Sequence, residues 1–417
     1  MPIDREALLR SLEAQRRDLS DSIVLTPVDS LPFSLADRKH TAFLHGLYLT
    51  DKVRDRELLK DALILFGGRE AATRDIAEIH RLLAQSLGAA EGSLRLLSGL
   101  QAHAVTFMSI SSIGQSVMLL PEEAGGHFST HTILRRLGLR TIDVPVDRAN
   151  LCVDREATLE LVERAKPDFV FIDRSEGLRY EDFSFIGGLP GPTKVFDASQ
   201  YLAPILIGHY ENPLDWGFDL MLFTLHKSFP GPQKAGIVSR ESGEVWRRLL
   251  TGLSTFVSSS HAENTYLVGL SLLRREWLST YVQRMLDTAI ELETQLENRG
   301  VPVVSRARQG RPEWPPTHHV WVLAPSQDEA FAQYERLAQA NVHTNYRRLP
   351  YELGYGLRLG TTYSAMAGVD ATQVETLADI VAEAIAGPQS GARLRDRVRR
   401  LARSAAPGAI VPASAWG

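Results

Sequence analysis

The sequence predicts an α/β fold: a large domain on a mostly parallel sheet, followed by a smaller C-terminal α/β domain. Three observations predict it. Short continuous apolar runs at 117–120, 141–146, 168–173, 194–197, 220–224 and 235–238 are bounded by polar or turn residues, and strands of this kind are buried on both faces, as in parallel sheets. Stretches with helical spacing fall between them, as an alternating βα order requires. Beyond Gly300 the alternation continues on a smaller scale.

The elements follow in order. Residues 1–25 read as a charged amphipathic helix, with Arg5, Arg10, Arg16 and Arg17 beside Asp4, Glu6 and Glu13; the many acids and the missing apolar segment argue against a signal or transit peptide. Pro27 and Pro32 make 25–33 an extended arm, of the kind that lies on a neighbouring subunit. Ile76, Ile79, Leu82, Leu83 and Leu87 predict a helix over 70–87, stopped by Gly88. A strand at 116–121, a helix at 128–137, a strand at 141–146 and a helix at 154–166 capped by Asp154 come next. After the remaining strands, a long helix over 276–299 leads to strands at 319–323 and 356–361 and helices at 328–340 and 371–385. The expected domains are an N-terminal helix and arm (1–33), a large domain (34–275), a small domain with its linking helix (276–404) and a disordered Ala/Pro/Gly/Ser-rich tail (405–417). No internal repeat is present.

Composition bounds the function. The 417 residues are 44% hydrophobic and 23% charged, as in ordinary globular proteins. Lys and Arg number 46 against 50 Asp and Glu, a net charge of −4, so the chain carries no electrostatic footprint for nucleic acid. No apolar run reaches the roughly 18 residues of a membrane span. The one cysteine, Cys152, excludes an intramolecular disulfide and a cysteine zinc cluster and reads as a small buried hydrophobe. A cytoplasmic protein is expected. His318-His319 lacks further ligands at metal spacing and reads as a strand start; Glu122-Glu123 reads as solvated charge. The basic stretch 393–403, with Leu394, Val398 and Leu401 at helical spacing, reads as a solvated or docking helix.

In α/β sheets ligands gather where strands end at their carboxyl edge, and three such ends are unusual. Lys227 follows the run 220–224 in a chain with 7 lysines against 39 arginines. A lysine chosen here can lose its proton and form a Schiff base, which arginine cannot; it can also simply snorkel from a strand end. Asp197 closes the run 194–197, where a carboxylate can pair with a protonated ring nitrogen or cap the next helix. Leu97-Ser98-Gly99-Leu100-Gln101 opens a helical segment over 102–113, suited to phosphate or to a plain turn.

Taken in order, the Ser98-Gly99 turn, Ala124-Gly-Gly-His127, Asp197 and Thr224-Leu-His-Lys-Ser-Phe-Pro-Gly-Pro-Gln resemble the fold type I pyridoxal phosphate (PLP) enzymes of the serine hydroxymethyltransferase-like branch. Gly356-Leu-Arg358-Leu-Gly-Thr is similar to that family's Gly-Ile-Arg-Val-Gly-Thr, and the similarity spans roughly residues 23–385. The resemblance implies an aspartate aminotransferase-like fold, with a mostly parallel seven-stranded sheet in the large domain. It implies Lys227 as the Schiff-base lysine, Asp197 as the pyridinium partner and His127 stacked on the cofactor ring. Ser98, Gly99, Thr224 and His226 would lie near the phosphate, Ser175 near the phenolic oxygen, and Gln200 and Ser259 would also contact the cofactor. Arg358 would grip the substrate carboxylate, and Tyr48 would reach a neighbouring subunit's site. A homodimer with shared active sites and a small amino-acid substrate are implied with them.

The sequence also departs from the family. The family's Tyr-Ala-Glu-Gly-Tyr-Pro, whose glutamate manages protons, stands here as Tyr48-Leu-Thr50-Asp-Lys-Val53; its Ser-Glu-Asn is Val28-Asp29-Ser30; a family histidine is Gln200; and its Gly-Gly-Gln-Gly-Gly-Pro loop is Val257-Ser-Ser-Ser-His-Ala-Glu263. These departures count against folate-dependent hydroxymethyl transfer and leave the cofactor apparatus nearly whole. The expected activity is therefore a change at Cα or Cβ of an amino acid or its conjugate, by β-elimination or by decarboxylation with deamination, in antibiotic-type metabolism. The alternative is folate-independent aldol chemistry, as in threonine transaldolases, aldolases or hydroxymethyltransferases, with His127 or Tyr48 as base; a non-catalytic scaffold is a third reading.

Overall fold

The computed structural model describes residues 4–49, 66–387 and 391–405. The segment Thr50 to Val53, and the expected tail from residue 406 onward, lie outside the described residues. Asp4 starts helix α1 (Arg5–Ser20) by accepting from Ala7 N, and strand β1 (Ile23–Val24) follows. No residue of α1 is buried, and Leu8, Leu9 and Leu12 are 40–52% exposed.

One compact unit comprises Pro32–Ser279 with Gly310–Pro315. Its elements are α2 (Glu70–Ser86), β2 (Glu91–Ser93), α3 (Gly99–Ile110), β3 (Ser116–Leu119), α4 (Thr130–Arg136), β4 (Arg140–Asp143), β5 (Val146–Asp147), β6 (Cys152–Val153), α5 (Arg155–Ala165), β7 (Phe169–Ile172), β8 (Thr193–Asp197), β9 (Leu220–Thr224), β10 (Ala235–Ser239), α6 (Glu244–Phe256) and α7 (Ala262–Leu272). Seven strands form one sheet in the order β2-β10-β9-β8-β7-β3-β4. From β9 to β4 every pairing is parallel, while β10 runs antiparallel to both neighbours. The strands β3, β7, β9 and β10 are buried at every position, which is why they read as unbroken apolar runs. Val105, Phe107 and Ile110 of α3 join Val117, Leu119 and Phe171 of the sheet and Trp246, Leu249 and Leu253 of α6 in one core cluster.

The expected strand at 141–146 is two elements. β4 ends at Asp143, and Val146–Asp147 pairs antiparallel with Cys152–Val153. Pro145 between them has no N–H to continue a ladder. Asp154 caps α5 as anticipated, accepting from Ala157 N at 3.1 Å. Cys152 is buried, and burial, then the charge of Glu181, pushes its thiol up to about 12.

A second unit gathers the described residues of Met1–Leu31, Thr280–Gln309 and Pro316–Gly417. Helix α8 (Arg275–Asn298) leads the chain into it, followed by β11 (His319–Leu323), α9 (Gln327–Gln339), β12 (Val342–His343), β13 (Asn345–Leu349), β14 (Gly354–Gly360), α10 (Ala371–Ala386) and α11 (Gly391–Ala405). β11, β14 and β13 make an antiparallel sheet, and β1 adds to β12 in parallel. Sequence patterning does not foresee β13, because Asn345-Tyr-Arg-Arg is polar and half-exposed. α11 docks: Leu394, Val398 and Leu401 are buried in the cluster that holds Leu292, Val320 and Leu377. The arm beyond β1 lies along the end of β14, with Gly360 N donating to Leu25 O at 2.7 Å and the Thr362 hydroxyl to Asp29 O at 2.6 Å.

A buried ion pair ties α8 to the start of β11. Arg306 Nε donates to Glu293 Oε2 at 2.6 Å, and its other nitrogens reach Thr317 O, Ala289 O and His319 O. Arg306→Met leaves the Glu293 carboxylate buried without its partner and is expected to destabilise the protein by about 3 kcal/mol, whereas adding Glu293→Leu recovers much of the loss. Urea unfolding of the single and double variants measures both, and equal stability of the single variant and the parent would reject this role for the pair.

Candidate active site

β8 and β9 deliver their last residues side by side at the carboxyl edge of the sheet. Asp197, the end of β8, is 9% exposed. Its Oδ1 accepts from Ser199 N at 2.7 Å, and its Oδ2 pairs with His103 Nε2 at 2.7 Å. Burial alone would raise its pKa. The hydrogen bond and charge of His103, the charge of Lys227 and the Ser199 bond more than reverse that, and hold it at about 2. The net effect is about 2 kcal/mol in favour of the charged form, a contribution present above pH 4 and lost as pH falls towards 2.

β9 ends at Thr224, whose N–H donates to the Ser199 hydroxyl at 2.9 Å, so the two strand ends are tied together. The chain then bends, leaving His226 and Lys227 half-buried. Burial first, then the charge of Lys227, lowers the His226 pKa to about 4 against a bond the ring donates to the Lys234 backbone carbonyl, so the imidazole is neutral at physiological pH. Across from this bend, Ser98 caps α3 by accepting from Gln101 N at 3.3 Å. A Cβ on Gly99 would lie 2.8 Å from Thr224 Cγ2, so the close approach of turn and strand end needs glycine. Thr224 Oγ1, His226 Nδ1 and Gln200 Oε1 are buried with no hydrogen-bond partner among the described residues. Orphaned polar atoms beside a helix N-terminus and a lysine suit a phosphorylated group, and the residues present therefore fit the expected PLP.

The Gly125-Gly126 turn sets the third side. A Cβ at Gly126 would meet Leu120 O at 2.3 Å, and Ser175 N donates to Gly125 O at 2.7 Å. This seats His127, whose N–H reaches Asp173 Oδ2 at 3.3 Å and whose Nδ1 accepts from Ser129 N at 3.2 Å. With Nδ1 used as an acceptor, the neutral ring carries its proton on Nε2. The ring stands edge-on to His103, centroids 5.8 Å apart. Burial pushes the Asp173 carboxyl up to about 7, against the charge of His103 and a bond from Thr130.

Sequence reasoning missed His103, Thr130 and Asp173. His103 lies four residues inside a helix that reads as core, and only the spacing from Ser98 marks that its face points at Asp197. Three further expected residues make contacts of their own. Tyr48 is 42% exposed and packs on Phe66 at 4.8 Å between centroids. The Ser259 hydroxyl accepts within its own loop, from His261 N at 3.5 Å. Arg358, 6% exposed, belongs to the other unit, on β14 opposite Trp321 and Asn345. In that same unit burial raises the carboxyl of Asp29, against a Thr26 bond and the charge of His343.

No protein-family model matches the chain. It is 31% identical over 341 residues to an L-threonine:uridine-5'-aldehyde transaldolase from Streptomyces sp, covering 78% of each chain. It is 33% identical over 318 residues to the fluorothreonine transaldolase of Streptantibioticus cattleyicolor; the match takes in 75% of this chain and spans about half of that relative, 49%. A serine hydroxymethyltransferase from Pyrobaculum arsenaticum is 27% identical over 328 residues, 75% of this chain and 74% of the other. The fold matches the crystal structure of L-threonine transaldolase from Pseudomonas fluorescens with a TM-score of 0.84, at 20% identity, over 97% and 93% of the two chains.

The ionisation of Asp173 can be read in stability. A carboxyl whose pKa is raised on folding weakens the fold as pH climbs from about 4 to 7, because the unfolded chain gives up the proton first. Asp173→Asn is expected to match the parent near pH 4 and to exceed its stability above pH 7, by on the order of 4 kcal/mol. Urea unfolding between pH 4 and 8 tests this; parallel pH profiles would contradict it.

Proposed function

The chain belongs to the serine hydroxymethyltransferase-like family of PLP-dependent enzymes, with threonine transaldolases among its relatives, and from that premise we propose that it is a folate-independent transaldolase. The donor is a β-hydroxy amino acid of the threonine type, and the acceptor is a second aldehyde. PLP supplies a sink for the electron pair released when a bond at the amino acid's α-carbon breaks. The observation that carries the reading is Asp197, buried yet held ionised behind Lys227, because only an ionised carboxylate keeps a ring nitrogen protonated.

The chain's own residues then divide the work. Lys227 would hold the cofactor covalently. Ser98, Gly99, Thr224 and His226 would lie about the phosphate, where the neutral His226 can accept or donate without adding charge. Ser175 and Gln200 would offer polar contacts to the ring. His127 would lie against the ring, with its Nε2–H available as a donor to the β-oxygen. Arg358 grips the α-carboxylate through two parallel hydrogen bonds. The aldol cleavage removes the β-hydroxyl proton as the Cα–Cβ bond breaks and an aldehyde leaves; addition to the acceptor forms a new Cα–Cβ bond, and the same base returns the proton to the new β-oxygen. His127 Nδ1 is occupied by Ser129 N, so Tyr48 is the better candidate for that base. Its exposure in one chain suits a side chain delivered to a neighbouring subunit.

A homodimer follows from this assignment. Helix α1, with Leu8, Leu9 and Leu12 exposed, is of the kind that covers a partner, and Ser259 would meet the partner's phosphate. No helix among the described residues is long and apolar enough to cross a membrane, and we place the enzyme in the cytoplasm. The missing glutamate at Thr50 removes the group that folate chemistry needs, while the aldol reaction does not require it.

Two measurements test the proposal. The purified protein with PLP is expected to show a lysine-linked visible band that Lys227→Ala loses, and to release acetaldehyde from L-threonine without folate. Tyr48→Phe is expected to lower that release at least about 100-fold with the band unchanged. Absence of aldehyde release in the presence of any acceptor, with the band present, would reject the transaldolase reading in favour of elimination or decarboxylation.

A further inference from the structure

Two buried basic side chains that the reaction above does not use reach the same turn, residues 257–261 between α6 and α7. Arg95, 4% exposed, donates from Nε and Nη2 to Val257 O at 3.0 and 2.8 Å. Lys234, 1% exposed, donates from Nζ to Ser260 O at 2.5 Å. The buried Thr265 hydroxyl donates to that same carbonyl at 3.3 Å, and Asn264 Nδ2 donates to Gln233 O, next to Lys234, at 3.1 Å. Both ends of the turn therefore hang by their carbonyls from buried side chains.

The two anchors stand on the stretches of backbone that carry the phosphate-side residues. Lys234 precedes β10, and its carbonyl accepts from Leu225 N at 2.9 Å; Leu225 lies between Thr224 and His226. Arg95 precedes Leu96, whose carbonyl accepts from Ala235 N at 3.0 Å, and the Ser98-Gly99 turn follows directly. A trans peptide points its N–H away from its C=O. With Val257 O and Ser260 O turned onto buried side chains, the N–H groups of Ser258 and His261 face the other way, the second of them reaching the Ser259 hydroxyl at 3.5 Å. Ser258 and His261 are exposed and Ser259 is half-buried. His261 holds a φ of 48°, a left-handed backbone that a residue other than glycine keeps only where its surroundings fix it.

We infer that Lys234 and Arg95 are positioning residues that fix the serine turn, so that its outward N–H and hydroxyl donors stand ready for a phosphate group. They act through the turn and touch neither substrate nor cofactor. A loose serine turn would lose conformational freedom each time it closed on a phosphate, whereas a turn held in advance is spared that cost. The gain is confined to the phosphate, because the ring and its covalent link fall to Asp197 and Lys227. The inference rests on the reading above, in which the chain binds PLP and Ser259 meets the partner's phosphate; it adds the two residues that make the turn able to do so.

The test titrates the full chain, first freed of cofactor, with PLP and separately with pyridoxal, which lacks the phosphate; the lysine-linked visible band reports binding of each. Lys234→Met and Arg95→Met are each expected to weaken PLP binding by about 10-fold or more and to leave pyridoxal binding unchanged. Lys234→Arg is expected to recover part of the loss. Thr265→Val, which removes one bond to Ser260 O and keeps the side chain's shape, is expected to act in the same direction by a smaller factor, and it serves where the other variants fail to fold. Equal losses for PLP and pyridoxal, or PLP binding equal to the parent's in these variants, would overturn the inference and leave the proposed function standing. A parent chain that binds neither compound would overturn the proposed function, and this inference with it.

Discussion

The site depends on keeping a carboxylate charged where water does not reach it. An isolated ion at the position of Asp197 would take up a proton, since burial is the largest influence on it and raises its pKa. His103, Ser199 and Lys227 together reverse that. Much of the surrounding structure serves this arrangement. α3 begins at Ser98 and so turns His103 inward one helical turn later; the strand ends of β8 and β9 are tied through Ser199; and the Gly125-Gly126 turn brings His127 and Asp173 to the same wall. The parallel sheet makes it possible, because only there do successive strands end side by side with their helices starting above them.

The small unit works by a different principle. Its antiparallel sheet carries Arg358 on its central strand β14, where both neighbouring strands fix the backbone. The N-terminal arm closes over the end of that strand: a Cβ on Gly360 would strike Pro27 at 2.3 Å. Asp29, two residues further along the arm, is pushed towards its neutral form by burial.

Much of this was legible in the sequence because it rests on choices of residue type. Lysine where arginine is the default cation marked Lys227, an acid closing an apolar run marked Asp197, and the order of the motifs identified the family. What stayed hidden was of another kind. His103 and Thr130 read as core helix residues, because nothing local distinguishes a buried histidine that faces a carboxylate from one that merely packs. Asp173 reads as the polar end of a strand; its raised pKa comes from the burial that the finished fold imposes on it. β13 was missed because an edge strand with one wet face carries polar residues, and the split of 141–146 was missed because one proline outweighs a run of apolar neighbours. Sequence patterning reports what is buried, whereas the charge of Asp197 depends on which buried groups meet.

The chain's single thiol, Cys152, is buried on the short β5-β6 ribbon, and burial, then the charge of Glu181, pushes it far above neutral pH. Thiolates are the species that react with maleimides and spin labels, so at pH 7 the native protein is close to chemically silent towards them. A cysteine introduced on α1 or beside Tyr48 would therefore be the one site that takes a probe. Such a probe could then report whether two copies of the chain associate, without first removing a native residue.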